Sequence, residues 1–110
     1  MHLKSNSHIG GIVISASLAL AQRDGWTGEQ LLKAVVAGYE AGSLLGVAVQ
    51  QSPGYNRHVR PSGICGAFGV AAAAIVATNL EEEVAVNALA FAANMASGFN
   101  EWAWVCVSCS

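Results

Sequence analysis

Apolar positions dominate four stretches of the chain, and each is bounded by helix start and stop signals rather than patterned in the strict alternation of a strand. The first stretch runs from Gly10 to Gln22 and ends at Asp24-Gly25, a turn dipeptide. Thr27-Gly28-Glu29-Gln30 is a capping box in which Thr27 bonds forward and Gln30 back, and it opens a second helix from Gly28 to Val49. Leu31, Leu32, Val35, Val36, Tyr39, Leu44 and Leu45 fall largely at three-and-four spacing, which predicts one buried stripe on that helix. Gln50 to Arg60 is polar, carries Pro53-Gly54 and reads as a loop. A third helix is expected from Ser62 to Ala77, with Thr78-Asn79-Leu80 as the joint to a fourth, Glu81 to Ala96, whose acidic first turn suits the positive helix end. Ser97-Gly98 closes it. Gly63, Gly66, Gly69 and Ala73 lie three or four apart, so one face of the third helix is nearly bare backbone and lets a neighbouring helix come close. The expectation is an all-α, bundle-like domain of four helices over residues 1–110.

Composition adds a second expectation. Hydrophobic residues make up 54% of the 110 and charged residues 11%. A chain of this length buries only about 60 to 65% of its unfolded surface, so some of that apolar material is expected to face another subunit or another part of a larger protein. The net charge of -2, with five basic residues, leaves no clustered basic face for nucleic acid. The longest apolar run, Ile64 to Ala77, is shorter than the roughly 20 residues of a membrane span and rich in Gly and Ala, so no membrane partner is expected. The amino terminus lacks the layout of a secretory signal, and three cysteines are an odd number for a disulfide framework. A cytoplasmic location follows as the expectation.

The candidate chemistry sits where the polar loop runs into the third helix, Arg57-His58-Val59-Arg60-Pro61-Ser62-Gly63. Pro61 suits the first helical position and Ser62 is expected to cap the free amides beside it, so the cationic side chains stand at a positive helix end where an anion binds well. The glycines do not form a nucleotide cradle, which needs a preceding strand and a Gly-Lys-Ser or Gly-Lys-Thr ending. Cys106 and Cys109 form a lone C-x-x-C without a second pair, and Cys65 reads as a buried apolar residue, so no metal site is expected. Trp102 and Trp104, after Phe99, make an apolar tail suited to association.

Four ordered segments resemble the MmgE/PrpD family, which includes 2-methylcitrate dehydratase and cis-aconitate decarboxylase. His8-Ile9-Gly10-Gly11 through Ala21 is similar to that family's His-Pro-Gly segment and the Val-Ile-Pro-Ala-Ala-Leu-Ala-Leu-Ala run after it. Leu31 to Glu40, ending Val-Ala-Gly-Tyr-Glu, resembles its second helix. Pro61 to Ala74 resembles Pro-Thr-Gly…Gly-Ala-Phe-Gly-Ala-Ala-Ala-Ala, and Ala88 to Phe99 the Ala-Leu-Gly-Leu-Ala…Ala-Ser-Gly segment. The resemblance spans residues 8 to about 104, and residues 105–110 do not match.

The resemblance implies a helical domain of a lyase, usually dimeric and free of metal or organic cofactors, that dehydrates or decarboxylates a tricarboxylic acid. Such chemistry needs a positioned acid–base group and cations to hold carboxylates. His8 aligns with an active-site histidine, which gives it the proton-transfer role. Arg60 stands where the family commonly has a histidine before the proline, and the nearest histidine is His58, two positions earlier. Arginine stays charged and grips carboxylates bidentately, so Arg60 takes substrate binding, with Ser62 beside it. Arg57 and His58 either assist or are solvated loop charges. The family's aspartate-bearing segment before the histidine, its later lysine-containing segment and its second domain have no counterpart in this sequence, which points to a truncated or frame-altered piece, inactive alone. Two readings therefore enter the structure: a lyase domain that keeps part of a tricarboxylate site, and a non-catalytic helical module that self-associates as a dimer or larger homo-oligomer.

Overall fold

The computed structural model describes residues 2–56 and 58–100. Arg57, Trp102, Trp104, Cys106 and Cys109 lie outside them. A short 3₁₀ turn, Leu3–Ser5, leads into α1 (Ile9–Asp24), α2 (Gly28–Gln51), α3 (Pro61–Thr78) and α4 (Glu82–Met95). The domain is all-α, and the described residues contain no strand beyond isolated bridges between His2 and Ser7 and between Val59 and Phe99.

The local signals act where the sequence places them. Gly25 stops α1 in the left-handed conformation, φ 66°, with its N–H bonded to the Ala21 carbonyl. The capping box forms: the Gln30 N–H donates to Thr27 Oγ1 at 3.2 Å and the Thr27 N–H donates to Gln30 Oε1 at 2.9 Å. Gln30 Nε2 also donates to the Ala77 carbonyl at 3.0 Å, so one side chain caps the start of α2 and ties it to the end of α3. Asn79, φ 49°, ends α3 as the expected joint.

The core lies between α2 and α3, and it is built from small residues on both sides. On α2 the buried positions are Ala34, Gly38, Gly42 and Gly46, one every fourth residue. Facing them on α3 are Cys65, Gly69, Ala73 and Ala77. The backbones touch: a Cβ placed on Gly38 would stand 2.9 Å from the Gly69 carbonyl oxygen, and one on Gly69 would stand 3.1 Å from the Gly38 carbonyl oxygen. Ile9 and Val13 of α1, both fully buried, wedge into the seam against Gly42, Gly38 and Gly69. Of the bare face expected on α3, Gly69 and Ala73 lie on this seam, while Gly66 meets Ile12 of α1 and Gly63 meets the backbone of Ser97 and Gly98.

The buried stripe expected on α2 is absent. Leu32, Val36, Tyr39 and Leu44 are exposed, Leu32 by 69%, while Leu31, Val35 and Leu45 are half-buried. The reason is geometric. Against a partner that is nearly bare backbone, the closest packing comes from the face of α2 that is also bare, and this turns the large side chains outward. α2 and α3 are each long and apolar enough to cross a membrane by length and composition, a property that buried helices of soluble proteins share.

Two glycine-to-alanine substitutions separate these effects. Gly11 on α1 has open space around its Cβ position, so Gly11→Ala is expected to stabilise the domain by up to about 1 kcal/mol through helix propensity. Gly38→Ala carries the same propensity gain but drives a methyl into Val13 and the Gly69 carbonyl, and a net loss of roughly 1–3 kcal/mol is expected. Urea unfolding of both variants beside the parent chain checks the pair.

Candidate functional site

His8 immediately precedes α1 as its N-cap, with backbone φ -91° and ψ 51°. Its side chain makes no capping bond and is exposed. Its backbone is fixed from far along the chain: the His8 N–H donates to Ser62 Oγ at 2.9 Å. Ser62 is buried in the first turn of α3. One hydrogen bond thus joins the two segments that carry the histidine and the Arg-Pro-Ser-Gly loop.

This corrects the role expected of Ser62. The N-cap of α3 is Arg60, which makes no side-chain cap bond, and Pro61 occupies the first helical position. Ser62 stands inside the helix at its second position, and its hydroxyl accepts from the His8 N–H instead of from an amide of its own helix.

Arg60 is half-buried and held through its backbone, its N–H donating to the Gly98 carbonyl at 2.9 Å. The residues after α4 run back along the loop before α3. The Asn100 N–H donates to the His58 carbonyl at 2.7 Å, Asn100 Nδ2 donates to the Val59 carbonyl at 3.4 Å, and Val59 bridges Phe99. The loop is also folded on itself, since Asn56 Oδ1 accepts from the His58 N–H at 2.9 Å. Gly63 lies against the backbone of Ser97 and Gly98, an approach that excludes a side chain. Residues 97–100 are therefore part of the site's frame, whereas the sequence marked Ser97-Gly98 as a helix stop and as the end of a family-like segment, without a place in the site.

These segments enclose an open cleft of about 320 Å³ lined by Arg60, Ser62, Gly98, Phe99 and Ile12. Arg60 and the first turn of α3, the positive end of that helix, both line it, a combination that favours an anion. Beside it an apolar groove of about 530 Å³ runs between α3 and α4, bounded by Ser62, Val70, Phe91 and Met95. The structure brings Arg60 and Ser62 into one cleft and His8 against Ser62 through its backbone; His58 is exposed on the loop, and Arg57 lies outside the described residues. Among the described residues no group of three or more His, Cys, Asp or Glu side chains could hold a metal ion. Cys65 is buried as expected, and burial pushes its thiol pKa up, so it stays neutral and packs as an apolar residue.

The sequence model of the MmgE/PrpD N-terminal domain matches residues 1–104. The chain belongs to the MmgE/PrpD family. No curated protein and no solved structure matches it. In this MmgE/PrpD domain the match takes in all four helices and both halves of the candidate site, the segment at His8 and the one at Arg60-Pro61-Ser62.

Ser62→Ala leaves the His8 N–H without its partner. A loss of roughly 1 kcal/mol in unfolding free energy is expected, with the His8 amide exchanging faster while amides of the α2–α3 seam keep their relative protection. Hydrogen exchange followed by NMR reads both.

Proposed function

We propose that this chain binds a small tricarboxylate in the cleft at the start of α3, as the helical domain of a lyase that dehydrates or decarboxylates an acid such as 2-methylcitrate or cis-aconitate. The observation that carries this reading is the His8 N–H···Ser62 Oγ bond, which brings the histidine segment to the arginine-bearing helix end within a family domain. Arg60 grips a carboxylate bidentately, and the Ser62 hydroxyl, having accepted from His8, retains a proton to donate to a second oxygen. His8 is the acid–base group beside the carbon that loses a proton. His58 and Arg57 add positive potential from the loop.

The cleft is open to solvent and shallow, and stabilisation of a developing carbanion requires water to be excluded. Binding without turnover is therefore the property proposed for this chain by itself, in a cytoplasmic setting. Self-association is proposed alongside it, carried by a specific observation: Leu32, Val36 and Leu44 on α2 and Phe91 and Met95 on α4 are large apolar side chains turned to solvent.

Thermal unfolding with citrate, 2-methylcitrate or cis-aconitate tests the site. At a ligand concentration near a hundred times its Kd the folded state gains about 2.7 kcal/mol, a shift of many degrees for a domain this size. The shift is expected to vanish in Arg60→Ala with helical content unchanged; cooperative melting that none of the three acids moves rejects the reading. Self-association is expected to appear as a concentration-dependent mass in sedimentation, and Leu44→Glu with Phe91→Glu is expected to lower it to that of one chain.

A further inference from the structure

The cleft at the start of α3 opens onto a second hollow. Ile12, Ser62 and Gly63, which line the cleft, also line the groove of about 530 Å³ between α3 and α4, so the two adjoin along these three residues. Ile12 forms the threshold. A Cβ on Gly66 would stand 2.8 Å from Ile12 Cδ1, so glycine at this position lets the isoleucine pack onto the α3 backbone between the two hollows.

The chemistry changes across that threshold. On the cleft side stand Arg60 and the first turn of α3. On the groove side are the small residues Ala67, Ala71 and Ala88 and the large ones Val70, Phe91 and Met95. Among the described residues that line the groove, Ser62 carries the one polar side chain, and it belongs to the end shared with the cleft. A compact tricarboxylate has no use for such a groove, because a carboxylate entering it gives up hydration and gains no hydrogen bond. An alkyl chain gains by the same transfer. The groove is also the larger of the two, about 530 Å³ against about 320 Å³ for the cleft.

We infer that the acid taken by the cleft carries an alkyl chain longer than methyl, which crosses Ile12 and lies in the groove between α3 and α4. This rests on the reading of the cleft as a carboxylate site. The chain would cover Phe91 and Met95, which are otherwise 71% and 74% exposed. Ala67 and Ala71 follow Gly63 by one and two helical turns, about 6 and 12 Å along the axis, and both are half-buried on the groove. A leucine at either position leans back toward the start of α3 and fills the space the chain needs.

Titration calorimetry of the full chain with citrate and with citrates bearing methyl, butyl or hexyl at C2 tests the inference, with sedimentation run in parallel. Full burial of a methylene tightens binding about fourfold, and roughly twofold is expected in a groove open on one side, so the Kd is expected to fall on the order of thirtyfold from methyl to hexyl. Ala67→Leu is expected to bring that ratio close to one, and Ala71→Leu serves where Ala67→Leu fails to fold. Arg60→Ala is expected to weaken the whole series. Binding of citrate and 2-methylcitrate with no gain from the longer chains overturns this inference and leaves the tricarboxylate reading standing, whereas an absence of binding by every acid overturns both. A chain-length gain that survives the leucine variants places the chain elsewhere, and one that appears only as the mass rises assigns the groove to a second copy; either overturns the inference.

Discussion

The contact between the backbones of α2 and α3 at Gly38 and Gly69 sets the rest of the structure. Side chains larger than alanine along this seam would hold the helices at an ordinary interaxial distance and open a gap that Ile9 and Val13 could not fill. With glycine, alanine and Cys65 as the seam residues, many dispersion contacts come from main-chain atoms, and the two α1 side chains suffice to close the third side. The core is small in volume yet continuous, and α3 at its centre touches each of the other helices.

Turning the small faces inward has an unavoidable counterpart outside. α2 carries Leu32, Val36 and Leu44 on the solvent side, and on α4 Ala92 is buried while Phe91 and Met95 stand exposed along the groove beside α3. The apolar excess of the composition is thus an outward-facing surface rather than a larger core. Small domains that gain little from burial commonly gain the remainder from a partner surface, which is the physical ground for the proposed self-association.

The sequence showed the four helices to within a few residues, because capping and stop signals at Gly25, Thr27, Pro61 and Asn79 are local and act alone. It also showed that α3 is lined with small residues, of which Gly69 and Ala73 lie on the seam with α2. It misled on α2, since a periodicity reading assigns the core to the largest apolar residues, while Ala34, Gly38, Gly42 and Gly46 held the same four-residue spacing in a less conspicuous form. The site was legible as residue types and illegible as contacts. The resemblance grouped His8 with Arg60 and Ser62, but the bond between His8 and Ser62 crosses 54 positions and involves a backbone N–H, which has no signature in side-chain identity. The return of residues 97–100 along the loop is likewise made by main-chain bonds.

The way His8 is held suits a group that must move a proton. Its peptide N–H is pinned by Ser62, and the next residue, Ile9, is fully buried in the α2–α3 seam, so the Cα of His8 has a fixed pivot on both sides. The ring itself makes no capping bond and is exposed. Proton transfer, the role proposed for His8, requires a group with a fixed attachment whose ring can still turn, and a pinned backbone under an exposed ring suits that role. Arg60 is likewise held through its backbone, with its N–H fixed to Gly98, and it lines the cleft. The small-residue seam therefore does more than hold helices together: by fixing α1 and α3 as close-packed neighbours, it keeps the segment that carries His8 beside the start of α3, the arrangement on which the proposed carboxylate binding rests.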